Sequence, residues 1–523
     1  MPLWRKLAIA GGSMLAFGIL VGFIVFPPFL RKQVKKQIAL KPGAEMRTLW
    51  SQTPFPLDFR IYLFNITNAD EIKTGAKPIV QQVGPFFYDE WKEKVDLVDR
   101  EEDDTVEYSN KATWIFNKKK SGPGLHEDME LVFPHIMILS MVYATVRERP
   151  GMVGLAAKAV DSIFHKPDSV FVKATVREIL WTGLPVDCSV QDFAGKAVCG
   201  ILREDDSSLL KDGETNYKFA IFGPKNGTVV PDRLRVKRGV KSYLDVGIVT
   251  EYKGEPKLSN WLEDSDCNLF NGTDSTIFHP FLYQDEDVVS FAPDLCRSLG
   301  ARFSHHSSVK GLKTNHYTAE LGDMSKDPEL KCFCQTPETC LKKGLFDLFN
   351  CVKAPLVASL PHLYLVDESY LEQVDGLHPN KDEHGIFLEF EPMTGSPLSA
   401  RKRLQFNMFI HPVEKFKLLK TAPTALLPLF WVEEGILLGD DIIGQLKTLF
   451  KVMSIMTILK WTMTLLGIGL IGGAGGLYYK DSQASQKLEI TKISPNSLTN
   501  GNKNWPLDVN GLQSNTVPPA LDG

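Results

Sequence analysis

Apolar residues form two long uninterrupted runs near the ends of the chain, separated by a long segment of mixed polarity. Residues 7–30 and residues 461–479 contain no Asp, Glu, Lys or Arg. A helix rises about 1.5 Å per residue, so about 20 such residues cross a hydrocarbon core of about 30 Å. Apolar positions at helical spacing, such as Val452 and Ile455, extend the second run upstream. The pattern predicts two transmembrane helices, over residues 7–30 and 452–479.

A cleaved signal peptide is the competing interpretation of the first run. Its apolar region would be about 7–15 residues long and would end in a small-residue cleavage site. The run instead ends in the bulky pair Phe29 and Leu30, which favours a retained anchor. The C-terminal segment is rich in Ser, Asn, Gly and Pro, which is typical of disorder. The expected domains are a cytosolic tail (1–6), a membrane helix (7–30), an extracellular domain (31–451), a second membrane helix (452–479) and a disordered cytosolic tail (480–523).

The segment between the spans contains short runs of alternating polarity that are separated by turn residues. Examples are FRIYLFNIT (59–67), TVEYS (105–109), KFAIFG (218–223) and RLQFNMFI (403–410). Side chains alternate between the two faces of a strand, so this period of two predicts a mainly antiparallel β domain.

Residues 134–164 differ, because their apolar positions follow helical spacing. Pro150-Gly151 interrupts the stretch, which predicts two helices. In the second helix Asp161 and His165 are four residues apart, so they can interact on one face. The predicted apolar face of that helix consists of Val153, Ala156, Ala157, Val160, Ile163 and Phe164.

Glycosylation motifs and cysteines indicate which side of the membrane the central segment occupies. Asn65, Asn226 and Asn271 each begin an Asn-X-Thr motif between the spans, and all eight cysteines also lie there. An even number of cysteines fits disulfides in an oxidising compartment, although eight allow 105 pairings. Basic residues are more frequent after the first span than before it, but such charge rules count poorly across long translocated domains. Both tails are therefore expected in the cytosol, at the plasma membrane.

Composition argues against several classes of function. The net charge of −4 over 523 residues gives no concentrated basic surface for nucleic acid. No metal is expected, because no CxxC pair occurs and no histidine lies at zinc-finger spacing from a cysteine. No GxSxG, HExxH or phosphate-binding loop is present, so no catalytic residue is assigned. A scattered triad that hydrolyses lipid esters stays open as an alternative, and so does a pure adhesion or scaffold receptor.

Glycines in the two spans offer small surfaces. The GxGxxG pattern of residues 467–472 lies inside an apolar span without a preceding strand, which argues against a nucleotide site. Such glycines allow close helix packing or homo-oligomers, with lipid-facing glycine as the alternative of equal weight. The candidate pairs are Gly18 with Gly22, Gly469 with Gly473, and Gly472 with Gly476.

The segment between the spans resembles the class B scavenger receptors. The motifs that carry the resemblance occur in the family's order: IYLFNITNADEI, QQVGPFFYDEW, WLEDSDCNLFNGTD, CFC, SLPHLY, GLHPNKDEHGIFLEFEPMTG and RLQFN. Within the family, EEDDTVEYSNKATWIFN, RGVKSYLDVG and PLFWVEEG are most similar to the insect sensory neuron membrane proteins.

The resemblance implies an α+β fold. It consists of an irregular antiparallel β-barrel ectodomain with an apical helical bundle, a lipid tunnel and two transmembrane helices. It further implies the disulfides Cys267–Cys332, Cys296–Cys351 and Cys334–Cys340. Cys188 and Cys199 lie outside the shared set, and their pairing is a separate hypothesis. The family's basic ligand-capture position falls near His165 and Lys166, of which Lys166 is the more reliably charged. The expected apical ligand-binding residues are Lys158, Val160, Phe164, His165 and Lys166.

The implied function is capture of a hydrophobic, lipid-like ligand, such as a volatile fatty-acid-derived pheromone. The ligand would pass through the ectodomain tunnel to the membrane or to an odorant receptor, without a cofactor. Burying each methylene contributes about 0.8 kcal/mol, so a long chain gains roughly 10 kcal/mol before entropic costs. General lipid uptake as a scavenger receptor stays open as the alternative.

Overall fold

The computed structural model describes residues 1–204, 209–283 and 286–492. The chain forms two compact units. One combines Met1–Pro28 with the described residues from Lys451 onwards, and the other spans Phe29–Phe450.

The first unit is an antiparallel pair of helices. It contains α1 (Leu3–Ile19), a π-helical turn (Leu20–Val25), the beginning of α2 (Phe26–Gln37) and most of α12 (Asp440–Lys492). The ring centroids of Trp4 and Tyr478 lie 4.9 Å apart, and those of Phe23 and Trp461 lie 5.5 Å apart. Because the two helices run in opposite directions, both chain ends leave the pair on the same side.

Three glycines of the N-terminal helix and one glycine of α12 let these helices approach closely. A Cβ atom at Gly11 would lie 2.8 Å from the Cβ of Leu470, and one at Gly18 would lie 3.1 Å from the Thr464 hydroxyl. A Cβ at Gly22 would collide with Lys460, so the prediction for Gly18 and Gly22 is confirmed. The glycines named on the other helix do not take part in this pairing. Gly467 faces the partner helix, whereas a Cβ atom at Gly469, Gly472, Gly473 or Gly476 would have no described atom outside its own helix backbone within 4 Å.

Both helices are longer than predicted. By length and composition, Leu3–Gln37 and Asp440–Leu488 are candidates for spanning a membrane. The first continues through Pro27 and Pro28, because the preceding π turn absorbs the proline geometry: the Phe26 N–H donates to the Val21 carbonyl, five residues back. α12 continues to Lys492, so it includes residues 480–492 of the tail for which the sequence predicted disorder. Residues 493–523, the rest of that predicted tail, lie outside the described residues.

The second unit contains the β domain, as the alternating runs predicted. Its strands are β1 (Leu57–Ile66), β2 (Val80–Arg100), β3 (Thr105–Phe116), β4 (Glu130–Pro134), β5 (Phe171–Thr175), β6 (Leu184–Val186), β7 (Leu210–Asp212), β8 (Asn216–Phe219), β9 (Val229–Lys237), β10 (Val249–Tyr252), β11 (Val288–Ala292), β12 (Arg297–Val309), β13 (Leu312–Ala319), β14 (Phe346–Asp347), β15 (Leu356–Ser359), β16 (Ile386–Glu391), β17 (Ser396–Ile410) and β18 (Ala425–Leu437).

Its helices are mostly short. They are α3 (Glu45–Ser51), α4 (Ala69–Ile72), α5 (Lys118–Ser121), α6 (Ile136–Glu148), α7 (Val153–Ile163), α8 (Phe193–Glu204), α9 (Phe349–Val352), α10 (Glu368–Leu371) and α11 (Lys381–His384). A 3-10 turn at Pro150–Met152 separates α6 from α7, which confirms the two helices predicted there.

The main sheet is antiparallel and closes almost completely into a barrel. Its strand order is β10-β9-β3-β2-β1-β18-β17-β16-β13-β12-β11, with β15 joining β17 and β14 joining β15. Thr273 connects the two edges, since it bridges Ile248 beside β10 and Ser290 in β11. The Thr273 N–H donates to the Val289 carbonyl, and the Val249 N–H donates to the Gly272 carbonyl. This closure removes most of the unpaired edge that an open sheet would expose.

The barrel has two different ends. The chain enters β1 at Leu57 and leaves β18 at Leu437, and these positions lie at one end, termed the terminal end. α6 and α7 pack at the opposite, helical end, where the Tyr143 hydroxyl donates to the His411 carbonyl over 2.9 Å. The predicted face of α7 is buried at Val153, Ala156, Val160 and Ile163, and Ala159 joins it.

Four disulfides brace the second unit: Cys188–Cys199, Cys267–Cys332, Cys296–Cys351 and Cys334–Cys340. Three of these are the pairs that the family resemblance implies, and the fourth is the separate pair. No described cysteine is free.

Candidate ligand-binding site

The register of the central strands defines which side chains face the inside of the barrel. Phe59 lies opposite Tyr88 on β2 and opposite Glu434 on β18, and Glu434 lies opposite Lys402 on β17. Opposite residues of an antiparallel pair share a face, so all four point the same way. Side chains from non-adjacent strands meet on this face: Lys92 of β2 reaches across β1 to Glu434 of β18. The face is therefore the concave, inner one.

Aromatic side chains line this inner face towards the helical end. The Phe222 ring lies 5.8 Å from Phe59, 5.9 Å from Trp114 and 5.9 Å from Phe430, so it joins rings from three strands. Trp181 extends the group, and its indole N–H donates to the Tyr88 hydroxyl over 2.8 Å. The aromatic wall consists of Phe59, Tyr88, Trp114, Phe116, Trp181, Phe222, Phe406 and Phe430.

Four ionisable side chains follow the aromatic wall towards the terminal end. Glu90, Lys92, Lys402 and Glu434 form this charged belt. The Lys92 ammonium lies 2.7 Å from Glu434 Oε2 and 3.6 Å from Glu90 Oε1, and Lys402 lies 3.8 Å from Glu434 Oε1. The Trp114 indole N–H donates to Glu90 Oε1 over 3.1 Å, which connects the belt to the aromatic wall.

Several inward-facing side chains keep accessible surface, so they are not fully covered by neighbouring protein atoms at this level of the barrel. The side chains of Lys92, Glu434 and Lys402 are 36%, 26% and 40% exposed, although they point to the inside. Leu404 and Val432, one step further along the same face, are also only partly buried. In a filled interior these positions would be as buried as Ile61 and Phe86, which have no exposed surface.

Burial perturbs the belt's electrostatics. Burial, opposed mainly by the positive charge of Lys92, raises the pKa of Glu90 to about 7. Burial alone would also raise the pKa of Glu434, but Lys92 and Lys402 lower it to about 2. Burial would lower the pKa of Lys92, but Glu434 and Glu90 raise it. Near neutral pH Lys92 is therefore an ammonium group and Glu434 a carboxylate, while the carboxyl group of Glu90 is close to the midpoint of its titration.

A second polar cluster covers the outer face of the same strands. Arg403 Nε donates to Glu433 Oε2 over 2.7 Å, and its Nη1 donates to the Gly385 carbonyl over 2.6 Å. Gln405 accepts the His362 N–H over 2.7 Å. Residues 360–385 lie over this face and bury the cluster. The outer network consists of Gln82, His362, His384, Arg403, Gln405 and Glu433.

The two histidines of the outer network are neutral. His362 Nδ1 accepts the His378 N–H over 2.9 Å, so Nε2 carries the proton and donates to Gln82 over 2.6 Å. Burial, together with the neighbouring His384, lowers the pKa of His362 to about 3, and burial lowers that of His384 to about 4. This network holds residues 360–385 against the barrel and has a structural role.

The apical residues expected from the family lie at the end of α7. Lys158, His165 and Lys166 are exposed, and no described carboxylate lies within 4 Å of either ammonium. Val160 is completely buried in the core, so its side chain does not share their surface. Phe164 is half-buried, with its ring 4.7 Å from His135.

The expected interaction of Asp161 with His165 does not form. α7 ends at Ile163, and both His165 and Lys166 adopt left-handed backbone conformations, with φ of 54° and 55°. His165 turns to Asp187, 3.3 Å away. The helix thus ends two residues before the position that the prediction needed.

A separate cavity of about 260 Å³ lies between α6 and the loop that contains the Cys334–Cys340 disulfide. Arg147 borders it, paired with Asp347 at 2.7 Å and placed over the Phe349 ring at 4.2 Å. Its wide opening to solvent makes it a surface groove.

The three glycosylation motifs occupy different settings. Asn226 and Asn271 are exposed. Asn65 is half-buried within β1, where its Oδ1 accepts the Val132 N–H over 2.8 Å.

In the described part of the chain, no three His, Cys, Asp or Glu side chains are grouped as a metal site.

Sequence reasoning missed the charged belt. Glu90 and Lys92 occur in an ordinary polar run, YDEWKEK, and Glu434 follows another glutamate. The available signal was the period of two, which places Glu90, Lys92 and Lys94 on the face of buried Phe86 and Tyr88.

An almost closed antiparallel barrel, helices at one end and two flanking candidate spans agree with a match to the CD36 family, whose model covers residues 9–478. The chain belongs to the CD36 family, and it is a membrane protein with two candidate spans near its termini.

Three relatives within that family share one name. The chain is 58% identical over 520 residues to "Sensory neuron membrane protein 1" of Apis mellifera, which covers 99% of each chain. It is 40% identical over 519 residues to the protein of that name from Manduca sexta, covering 99% of this chain and 98% of the relative. The Ostrinia furnacalis protein of that name is 39% identical over 533 residues, covering all of both chains.

Proposed function

We propose that this protein is a non-enzymatic sensory receptor or co-receptor that binds long-chain hydrophobic ligands inside its barrel. Its ligands are lipid-like molecules of the volatile, fatty-acid-derived pheromone class. The observation that supports the proposal is the row of inward-facing, partly accessible side chains on β17 and β18, which we interpret as the lining of an internal cavity. The names of the relatives support a sensory role at a neuronal membrane.

The proposed route begins at the apical residues Lys158, Phe164, His165 and Lys166. The exposed ammonium groups attract the polar end of a ligand, while the apolar surface nearby receives its chain. Phe193 and Ile201 on α8, 78% and 60% exposed, add to that surface. The ligand then moves along the aromatic wall towards the terminal end, the membrane or a receptor in it.

The antiparallel helix pair of the first unit supports one further part of the proposal. With both termini on the same side of the membrane, the second unit and its disulfides occupy the other side. Disulfides belong to an oxidising compartment, so the proposal places both tails in the cytosol and glycans on Asn65, Asn226 and Asn271 outside. Homo-oligomers and an odorant receptor partner remain part of the proposal.

Saturable binding tests the proposal directly. The full-length glycosylated chain in lipid nanodiscs is titrated with labelled hexadecyl acetate, with empty nanodiscs as the partitioning control. We expect saturable binding, weakened by Lys166→Ala and unaffected by Lys173→Ala, a matched exposed lysine paired with Glu130. Absence of saturable binding across a series of chain lengths would contradict the proposal and favour a scaffold receptor. Hydrolysis of the acetate would favour a lipid-ester hydrolase.

A further inference from the structure

We propose that the charged belt is the head-group site of the cavity: Glu90, Lys92 and Lys402 hold the terminal carbonyl group of a long-chain ligand. This inference rests on the proposed function, because it assigns the polar end of the same cavity. The ligand class is a hydrocarbon chain with one terminal carbonyl, as in an aldehyde, an ester or a carboxylic acid.

The position of the belt suits a ligand with one polar end. Trp114 belongs to the aromatic wall and also donates to Glu90 over 3.1 Å, so the apolar wall and the belt are contiguous. A chain lying against the wall would place its end group beside Glu90 and Lys92. Burying the chain there is favourable, but burying an unpaired carbonyl is not, so the oxygen needs donors at that place.

Glu90 has an unused hydrogen-bonding atom in the belt. Its side chain is 2% exposed, and its Oε2 has no hydrogen-bond partner among the described residues. An unsatisfied buried oxygen of this kind is destabilising and calls for a specific explanation. When protonated, the carboxyl group has an O–H donor that a carbonyl oxygen can accept. The pKa of about 7 makes this form abundant near neutral pH.

The two lysines supply further donors. Lys92 is held by Glu434, whereas Lys402 lies 3.8 Å from Glu434 and 3.3 Å from the Ser275 hydroxyl. An ammonium group has three N–H donors, and Lys402 is 40% exposed inside the barrel, so it retains donor capacity. Lys92, Lys402, Glu434 and the Trp114 indole are the charged and polar groups that face Glu90. Donors outnumber free acceptors, so the site suits an acceptor-only carbonyl.

A matched ligand series tests the head-group site. Hexadecane, hexadecanal, hexadecyl acetate and hexadecanoic acid compete with labelled hexadecyl acetate on the full-length chain in nanodiscs. A site that hydrogen-bonds a ligand group discriminates strongly against analogues that lack this group. A purely apolar site discriminates only weakly between ligands that differ by a methylene. We expect the three carbonyl ligands to bind about tenfold more tightly than hexadecane, after correction for partitioning.

Variants assign the preference to the belt. Lys402→Met and Glu90→Leu should reduce the carbonyl preference, which is the ratio of carbonyl-ligand affinity to hexadecane affinity, to about threefold or less. In the native chain the carbonyl preference should fall as pH rises from about 6 to 8, because Glu90 then loses its O–H donor. Glu90→Gln keeps an N–H donor at every pH, so its carbonyl preference should stay the same over this range. The matched controls are Glu93→Gln and Lys111→Met, which alter an exposed pair on the outer face of β2 and β3.

The outcomes separate this inference from the proposed function. Equal affinity for hexadecane and the carbonyl ligands, or a preference that survives Lys402→Met and Glu90→Leu, would overturn the head-group site while leaving an apolar cavity. A loss confined to hexadecanoic acid would overturn it too, since a carbonyl site loses the aldehyde and acetate together with the acid. Failure of all four ligands to compete would instead contradict the proposed function. Unfolding temperatures of each variant distinguish loss of the site from loss of the fold.

Discussion

Strands β17 and β18 carry an oppositely charged pair on each face, but the two pairs differ in their separation and in their exposure. On the outer face Arg403 and Glu433 are 2.7 Å apart and are 8% and 3% exposed. On the inner face the adjacent residues, Lys402 and Glu434, are 3.8 Å apart and are 40% and 26% exposed. Sequence proximity is therefore no guide to the environment, because alternation places neighbours on opposite sides of the barrel wall.

The comparison shows that the charged belt, unlike the outer network, has hydrogen-bonding groups without a protein partner. The outer network pairs its ions closely and satisfies its histidines with backbone and glutamine partners, so it stabilises one arrangement of residues 360–385. The charged belt keeps accessible ammonium groups and an unpartnered Glu90 oxygen. A satisfied buried network specifies structure, whereas an unsatisfied one beside a cavity can bind a ligand.

The largest loss of unfolding free energy is expected when a carboxylate of the outer face is removed. Glu433→Leu deprives Arg403 and Arg60 of the partner they contact at 2.7 and 2.6 Å. An uncompensated buried charge costs about 3–5 kcal/mol of unfolding free energy. The inner-face counterpart, Glu434→Leu, should cost about 1 kcal/mol, since Lys92 is 36% exposed and keeps Glu90 as a second partner. Denaturant unfolding of the full-length variants measures both, and equal losses would remove the contrast between the faces.

Acid should weaken the outer network next. His362 and His384 have folded pKa values of about 3 and 4 against an ordinary value of 6.5. The unfolded chain therefore binds protons that the folded chain does not, and stability is lost as pH falls below about 6.5. Each histidine should contribute a loss of about 1.4 kcal/mol per pH unit. A double variant, His362→Gln with His384→Gln, should flatten the dependence of unfolding free energy between about pH 6.5 and 5; an unchanged slope would show that these histidines titrate normally.

The inner face should respond to pH in the opposite direction. The pKa of Glu90 is about 7 in the folded chain against an ordinary 4.5, so the folded state holds its proton longer. Stability is then lost as pH rises from about 4.5 to 7, by about 3 kcal/mol at most. Glu90→Gln should remove that loss, so its advantage over the native chain should grow between about pH 5 and 8. An advantage independent of pH would mean that Glu90 is ionised throughout.

The smallest change in unfolding free energy is expected when an ion pair on the protein surface is broken. Lys111 and Glu93 lie 3.1 Å apart and are about one-third exposed. Exposed pairs contribute about 0–1 kcal/mol, so Glu93→Gln should change unfolding free energy by less than about 1 kcal/mol. Thermal unfolding of the full-length chain checks this value, and a larger loss would require an additional role for the pair.

The sequence predicted the elements of the fold better than the site. Alternating runs located β1, β3 and β17, and helical spacing located α6 and α7, because local periodicity reports which face is buried. Closure through Thr273 depends on residues far apart in sequence, so no local pattern contains it. The charged belt has the same origin, since Lys92 and Glu434 are more than 300 residues apart and meet only across β1.

The sequence also did not predict how far the two long terminal helices extend. Two consecutive prolines predict a helix end, but a π turn upstream absorbed them at Phe26. The polar composition of residues 480–492 predicted disorder, whereas these residues extend the apolar helix that precedes them.

Photolabelling tests most directly whether the inner face is the binding site. A hexadecyl ester with a diazirine beside its carbonyl is bound to the full-length chain in nanodiscs and irradiated, and labelled residues are identified by mass spectrometry. If the inner face binds the ligand, labels are expected there, at Lys92, Lys402 and Leu404, and excess unlabelled ester should prevent them. Labels confined to α1, α12 or the surface of α8, with none on the inner face, would contradict this assignment.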